Sequence, residues 1–123
     1  MRISRADENE ELEEIVRYIN EKCSEGAAVL VEGVSDREAL SGRGVRGKIF
    51  TLHEFLKIVE FDALNMELIA LLDLDREGER ILRWLEGRTS HSLKLDYSTR
   101  MKLRKTQRYR RGLRTVHQIF MGP

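Results

Sequence analysis

The sequence predicts an α/β chain with a Rossmann-like, doubly wound sheet of about four mainly parallel strands flanked by helices. Two observations carry this. Short runs of continuous apolar residues, the mark of strands buried on both faces, alternate with amphipathic segments of helical period. The connections between them are short, as right-handed crossovers in a parallel sheet require.

Each element has its own signal. Leu12, Ile15, Val16 and Ile19 recur at helical spacing among glutamates from Asp7 to about Lys22, and Asp7 with Glu10 has capping-box spacing. Gly26 ends that helix. Residues 27 to 33 form the first apolar strand, and Ser35 with Glu38 predicts a helix start, the helix running from Asp36 to Leu40 or Ser41. A glycine-rich break precedes a strand at 48 to 52, where Thr51 with Glu54 signals a helix through about Val59. Residues 66 to 73 are the most apolar run and predict a central strand, followed by a helix from Arg76 to Glu86 with Ile81, Trp84 and Leu85 on its core face and Gly87 as its stop. A fourth strand spans 92 to 97. A basic helix from Ser98 to about Gly112 and an irregular tail through Gly122 and Pro123 complete the chain.

At 123 residues, with 41% apolar and 35% charged residues, the chain suits one domain: an acidic helix over 1–25, a core over 27–97 and a basic end over 98–123. The net charge of +1 conceals this separation of acids and bases. The single cysteine, Cys23, leaves no internal disulfide and points to a reducing, cytoplasmic setting. No run approaches the roughly 20 apolar residues that span a bilayer, so no membrane role is expected. Few Asn and Gln beside many Glu, Arg and Lys lean towards a thermophilic composition.

The chemistry lies at the strand ends. Ligands of open parallel sheets bind beyond the carboxyl ends of the strands, and there Glu32 closes the first strand and Asp73 the third, with Asp75 and Glu77 following at intervals of two. If the extended backbone persists, that period turns Asp73 and Asp75 to one side. Mg²⁺ takes hard oxygen ligands, keeps several waters and uses one or two carboxylates, a role that suits these aspartates. The plainer alternative is that Asp75 caps the following helix, with Glu77 and Glu79 answering its dipole.

Val31-Glu32-Gly33-Val34-Ser35-Asp36 resembles the first motif of the Toprim family, and Leu72-Asp73-Leu74-Asp75-Arg76-Glu77-Gly78-Glu79 resembles the second, in the long form of type IA topoisomerases. The likeness covers roughly residues 27 to 97, and Gly44-Val45-Arg46-Gly47 matches the family's turn before the second strand. Toprim domains occur in topoisomerases, bacterial primases and small nucleases, including the ribonuclease that matures 5S ribosomal RNA. The resemblance implies that Glu32 acts as general acid or base within a Mg²⁺ (or Mn²⁺) cluster completed by Asp73, Asp75 and Glu77, with Gly33, Asp36 and Arg76 in support. It also implies phosphodiester chemistry on nucleic acid. The length lacks room for strand-passage, tyrosine-bearing, zinc-binding or polymerase parts, so a small stand-alone nuclease or RNA-processing enzyme is the leading expectation, with structured RNA preferred over DNA. The alternative is a non-catalytic nucleic-acid-binding subunit that works with a partner protein. A phosphoacceptor signalling domain would place paired acids after the first strand, which this chain does not.

Arg100, Arg104, Lys105, Arg108 and Arg111, with Tyr109 among them, are expected to meet phosphates, and Arg43 and Arg46 to assist. The alternative is a solvated helix, or one paired with the acidic first helix. Gly42-Arg43-Gly44-Val45-Arg46-Gly47 spells a dinucleotide fingerprint, but it follows a helix and precedes a strand, the reverse of what that fingerprint needs. His53, His91 and His117 lack ligand spacing.

Overall fold

A computed structural model describes residues 5–58, 65–88 and 93–121. The elements run α1 (Arg5–Ser24), β1 (Ala28–Val31), α2 (Val34–Gly42), β2 (Ile49–Thr51), α3 (Leu52–Leu56), β3 (Met66–Ala70), α4 (Arg76–Glu86), β4 (Leu93–Asp96), α5 (Ser98–Leu103), α6 (Gln107–Arg110) and α7 (Val116–Phe120). The four strands form one all-parallel sheet in the order β2-β1-β3-β4. The expected doubly wound α/β architecture is what the chain adopts. No helix among the described residues is long and apolar enough to cross a membrane.

The strands divide the core by parity. Val29 and Val31 of β1, with Ile69 and Leu71, face α1, α2, α5 and α7. Ala28 and Leu30, with Leu68, Ala70 and Leu72, face α3 and α4. Both layers exclude water from the strands, which explains why β1 is apolar throughout instead of alternating.

Several local expectations need correction. The first helix begins before Asp7, which lies in its first turn, so Asp7 is no cap. The cap of α2 is Gly33, whose amide donates to Asp36 Oδ2 at 3.1 Å, and Ser35 lies inside the helix. The pairing of Thr51 with Glu54 holds in both directions, at 3.2 and 3.0 Å. The α3 helix ends at Leu56; Val59, His91 and Ser92 lie outside the described residues. The Gly42–Gly47 stretch is the expected turn, with Gly44 at φ +100° and Asn20 holding it through Gly44 O and Arg46 N. The basic segment is not one helix: it breaks after Leu103, where Thr106 caps the short α6. Part of the supposed irregular tail folds as α7, whose Thr115 and Gln118 form a capping box.

One helix lies unusually close to a strand end. A Cβ on Gly78, in the first turn of α4, would stand 1.8 Å from the carbonyl oxygen of Asp73. That neighbour is backbone and cannot swing aside, so only glycine permits the approach. Gly78→Ala should therefore lower the free energy of unfolding by about 1–3 kcal/mol in denaturant titration. Gly33→Ala, whose Cβ meets nothing within 4 Å, serves as the steric control. An unchanged midpoint for Gly78→Ala would contradict the packing described.

Candidate acidic site at the sheet edge

The order of the strands makes β1 and β3 neighbours, so the residues that follow them emerge side by side at the carboxyl edge. Glu32 Oε2 crosses that gap and accepts the backbone amide of Asp73 at 2.8 Å. Asp73 Oδ1 in turn accepts the amide of Val116 at 2.8 Å, and Asp36 Oδ1 accepts the next amide, that of His117, at 2.9 Å. The start of α7 thus rests on two carboxylates, one from each predicted motif. Thr115-x-x-Gln118 was the sequence signal that could have revealed this helix.

Asp75 reaches its place by another route. The extended alternation lapses beyond Leu72, because Leu74 packs into the α7-side core instead of following Leu72 to the α4 side. Asp75 Oδ1 then caps α4 by accepting the amide of Gly78 at 2.8 Å. The capping alternative is therefore realised, and the period of two does not align the aspartates. Asp75 nevertheless remains within electrostatic reach of both Glu32 and Asp73.

Glu77 does not join the group: it is exposed and pairs with Arg80 at 3.1 Å. Glu79 accepts both Arg100 and Arg104, each at 2.6 Å. Arg76 is exposed beside Asp75.

The environment disfavours negative charge. Burial pushes the Glu32 carboxyl up to about 7 against the opposing Asp73 amide, and the charges of Asp73, Asp75 and Asp36 add to the rise. Burial likewise pushes Asp73, only 9% exposed, up to about 6; the Val116 amide opposes this, while Asp36 and Asp75 reinforce it. Asp96, at the end of β4, makes the contrast. Burial raises it too, yet bonds from Ser98 and Tyr18 and the nearby Lys22 hold it below the usual range.

Among the described residues, no three Asp, Glu, His or Cys side chains converge closely enough to hold a metal ion between them. The expected four-residue ligand set of Glu32, Asp73, Asp75 and Glu77 is not assembled. What remains is one oxygen each of Glu32, Asp73 and Asp75 without a hydrogen bond from the described residues. Such a donor set suits a cation that retains most of its water, the habit of Mg²⁺, and does not suit a fully protein-ligated ion such as structural zinc.

Of the basic residues expected to meet nucleic acid, two are buried and four, Arg46, Arg104, Lys105 and Arg111, are exposed. Arg100, 5% exposed, donates to the carbonyls of Leu72 at 3.0 Å and Asp73 at 2.6 Å. Arg108, 3% exposed, donates to Ile119 and Met121 carbonyls at the end of α7. Neither guanidinium can reach a polyanion. Arg43 binds Phe120 O and Asn9, Arg111 binds Glu8, and Lys105 lines a groove with Glu11 and Glu14 of α1. Pairing of the basic end with the acidic first helix is thus found in part, through Arg108 and Arg111 at Glu8, while Arg104 pairs with Glu79 of α4. Arg46 is exposed in the turn before β2, at the opposite edge of the sheet from the acids.

A carboxyl whose folded pKa is raised contributes stability below its unfolded value and loses it as pH rises through the folded one. For Asp73 and Glu32 that loss runs from about pH 4 through 6 and 7. Without divalent ions, the melting temperature should fall between about pH 5 and about pH 8, and Glu32→Gln should flatten the fall. A fall of wild-type size in Glu32→Gln would contradict the crowding described.

No family model matches the chain. A UPF0292 protein of Thermococcus onnurineus is 29% identical over 123 residues, taking in 94% of this chain and 88% of the relative. A UPF0292 protein of Pyrococcus horikoshii is 30% identical over 105 residues, taking in 76% of this chain and 74% of the relative. Among solved structures, a protein from Aquifex aeolicus superposes with a TM-score of 0.62 at 28% identity, over 76% of this chain and 89% of that one. The extent of the match to the Pyrococcus protein settles the assignment: the chain belongs to the UPF0292 family.

Proposed function

We propose that this chain is a cytoplasmic, Toprim-type enzyme performing Mg²⁺-dependent phosphodiester chemistry on nucleic acid, most simply as a small nuclease or RNA-processing enzyme. The observation that carries the reading is the convergence of Glu32 and Asp73 from adjacent strands, with Asp36 and Asp75 close enough to raise their proton affinity. Carboxylates crowded in this way, each partly buried, gain most from a cation in their midst.

The roles follow from the atoms. Glu32 Oε2 is fixed by the Asp73 amide, leaving Oε1 to exchange a proton with a reacting hydroxyl or water. A carboxyl pushed up to about 7 exchanges that proton near neutral pH. Asp73 and Asp75 would hold Mg²⁺ through the oxygens left by their capping bonds, Glu32 lying beside them. When bound, the ion supplies neutralisation of charge developing on the phosphoryl oxygens. Asp36 positions the cluster from behind by fixing both Gly33 and the start of α7.

A second reading, the binding subunit that needs a partner protein for catalysis, is favoured by one observation. Asp73 and Asp75 each commit an oxygen to capping, and no direct three-residue ligand set forms among the described residues.

Purified protein incubated with labelled structured RNA, single-stranded DNA and duplex DNA separates the two. The enzyme predicts cleavage that requires Mg²⁺ and falls at least about a hundredfold in Asp73→Asn and Glu32→Gln, the scale of losing a proton carrier. Binding without cleavage, or cleavage indifferent to both substitutions, would contradict it.

A further inference from the structure

The helix that follows Asp75 carries a second feature. Arg76, Arg80 and Arg83 stand at i, i+4 and i+7 of α4, one face of the helix. Across from them is Arg104, and together they line a cavity of about 480 Å³ whose wall includes Asp75. Of its two acids, Asp75 and Glu79, the second is compensated. Glu79 is taken by Arg100 and Arg104, and Arg80 also bonds Glu77. Four guanidiniums therefore surround a concave space that begins at the acidic edge and runs along α4.

On the other side of Arg80 the surface changes character. Leu52, Leu56, Ile81 and Trp84 line an apolar groove of about 260 Å³ that Arg80 also borders. Trp84, expected in the core, is 41% exposed, with the Arg88 guanidinium 4.7 Å from its ring centre. Leu82 and Leu85 fill the core in its place. Arginines on one side and an accessible aromatic with apolar neighbours on the other form the pairing that holds unpaired nucleotides. The cations follow the phosphates, and the apolar surface receives the bases. A duplex, with its bases stacked inside, would use only the first half.

We propose that α4 is the track for a single-stranded nucleic-acid segment, with Arg76, Arg80, Arg83 and Arg104 on its phosphates and the Trp84 groove beneath its bases. The track delivers a phosphodiester to the edge beside Asp75. The inference rests on the reading of that edge as the reacting site. It also centres the nucleic-acid surface on the exposed face of α4, keeping Arg104 alone from the basic C-terminal segment.

The test is made in EDTA, so that binding is read apart from cleavage. Fluorescein-labelled oligothymidylate, alone or as a duplex with oligoadenylate, is titrated with the full chain at several salt concentrations, and Trp84, the only tryptophan, reports from the groove. The single strand should bind more tightly than the duplex and change Trp84 emission. Arg76→Glu with Arg83→Glu should weaken binding at least about tenfold and reduce the logarithmic salt slope by roughly 1.4, two phosphates' share on a single strand. Arg46→Glu, at the far edge of the sheet, should change binding little. Circular dichroism checks folding, and the milder Arg83→Ala should weaken binding in the same direction. Absence of wild-type binding, or a double variant no weaker than Arg46→Glu, would overturn the proposal. In the separate Mg²⁺ assay, cleavage that needs Asp73 but ignores the arginine variants overturns the track alone. Track-dependent binding without any cleavage sustains the track and overturns the enzymatic reading.

Discussion

The peptide unit at Asp73 is where the separate parts of this molecule meet. Its amide ties β3 to β1 through Glu32, its carbonyl receives Arg100 from α5, and the same carbonyl lies against Gly78 of α4. Its side chain anchors the first turn of α7. Four elements distant in sequence therefore fix one residue, and each contact depends on the others. If α4 retreats from Gly78, the Asp75 cap shifts; if Arg100 withdraws, two buried carbonyls lose their donor. The carboxylate, bonded by Val116 N and rooted in a backbone fixed from three sides, has little freedom of its own. Its remaining oxygen is pre-positioned, as a site that binds charge without reorganisation requires.

The distribution of charge follows from that constraint. Acids at the sheet edge face one another without an equal number of cations among them, while the basic C-terminal segment buries Arg100 and Arg108 and leaves Lys102, Arg104, Lys105, Arg110 and Arg111 exposed. Arg100 and Arg108 cap carbonyls, Arg104 joins Glu79, and Arg111 joins Glu8 of the acidic first helix. The net charge of +1 therefore conceals two different surroundings, acids paired with cations at the C-terminal segment and acids crowded together at the sheet edge. The unpaired demand lies at the acid edge, and the exposed arginines that remain nearest to it are on α4.

Much of the architecture was legible in the sequence because it depends on period and order. Continuous apolar runs became parallel strands, and the ends of β1 and β3 emerged together because those strands are neighbours. The pairing of Thr51 with Glu54 was readable because a capping box is local. What failed depended on tertiary context. The alternation expected to align Asp75 with Asp73 ended because Leu74 turned into the opposite core layer. Trp84 has core spacing, but Leu82 and Leu85 already fill the layer beneath α4. The sequence shows the density of arginines in the last segment and hides which are buried: Arg100 and Arg108 hold carbonyls from elsewhere in the fold, and the others are not so enclosed. The α7 helix escaped notice because five residues give too little periodicity to read, although its capping pair was present.

The proposed ion site, Asp73 and Asp75 with Glu32 beside them, stands or falls on whether a hydrated divalent ion binds there. Titration of the metal-free protein with Mn²⁺, followed by electron paramagnetic resonance of the free ion and by calorimetry, addresses it without reference to any substrate. The account predicts saturable binding that Mg²⁺ displaces, that releases protons near neutral pH, and that weakens sharply in Asp73→Asn. Binding that is absent at millimolar ion, or unchanged by that substitution, would contradict it.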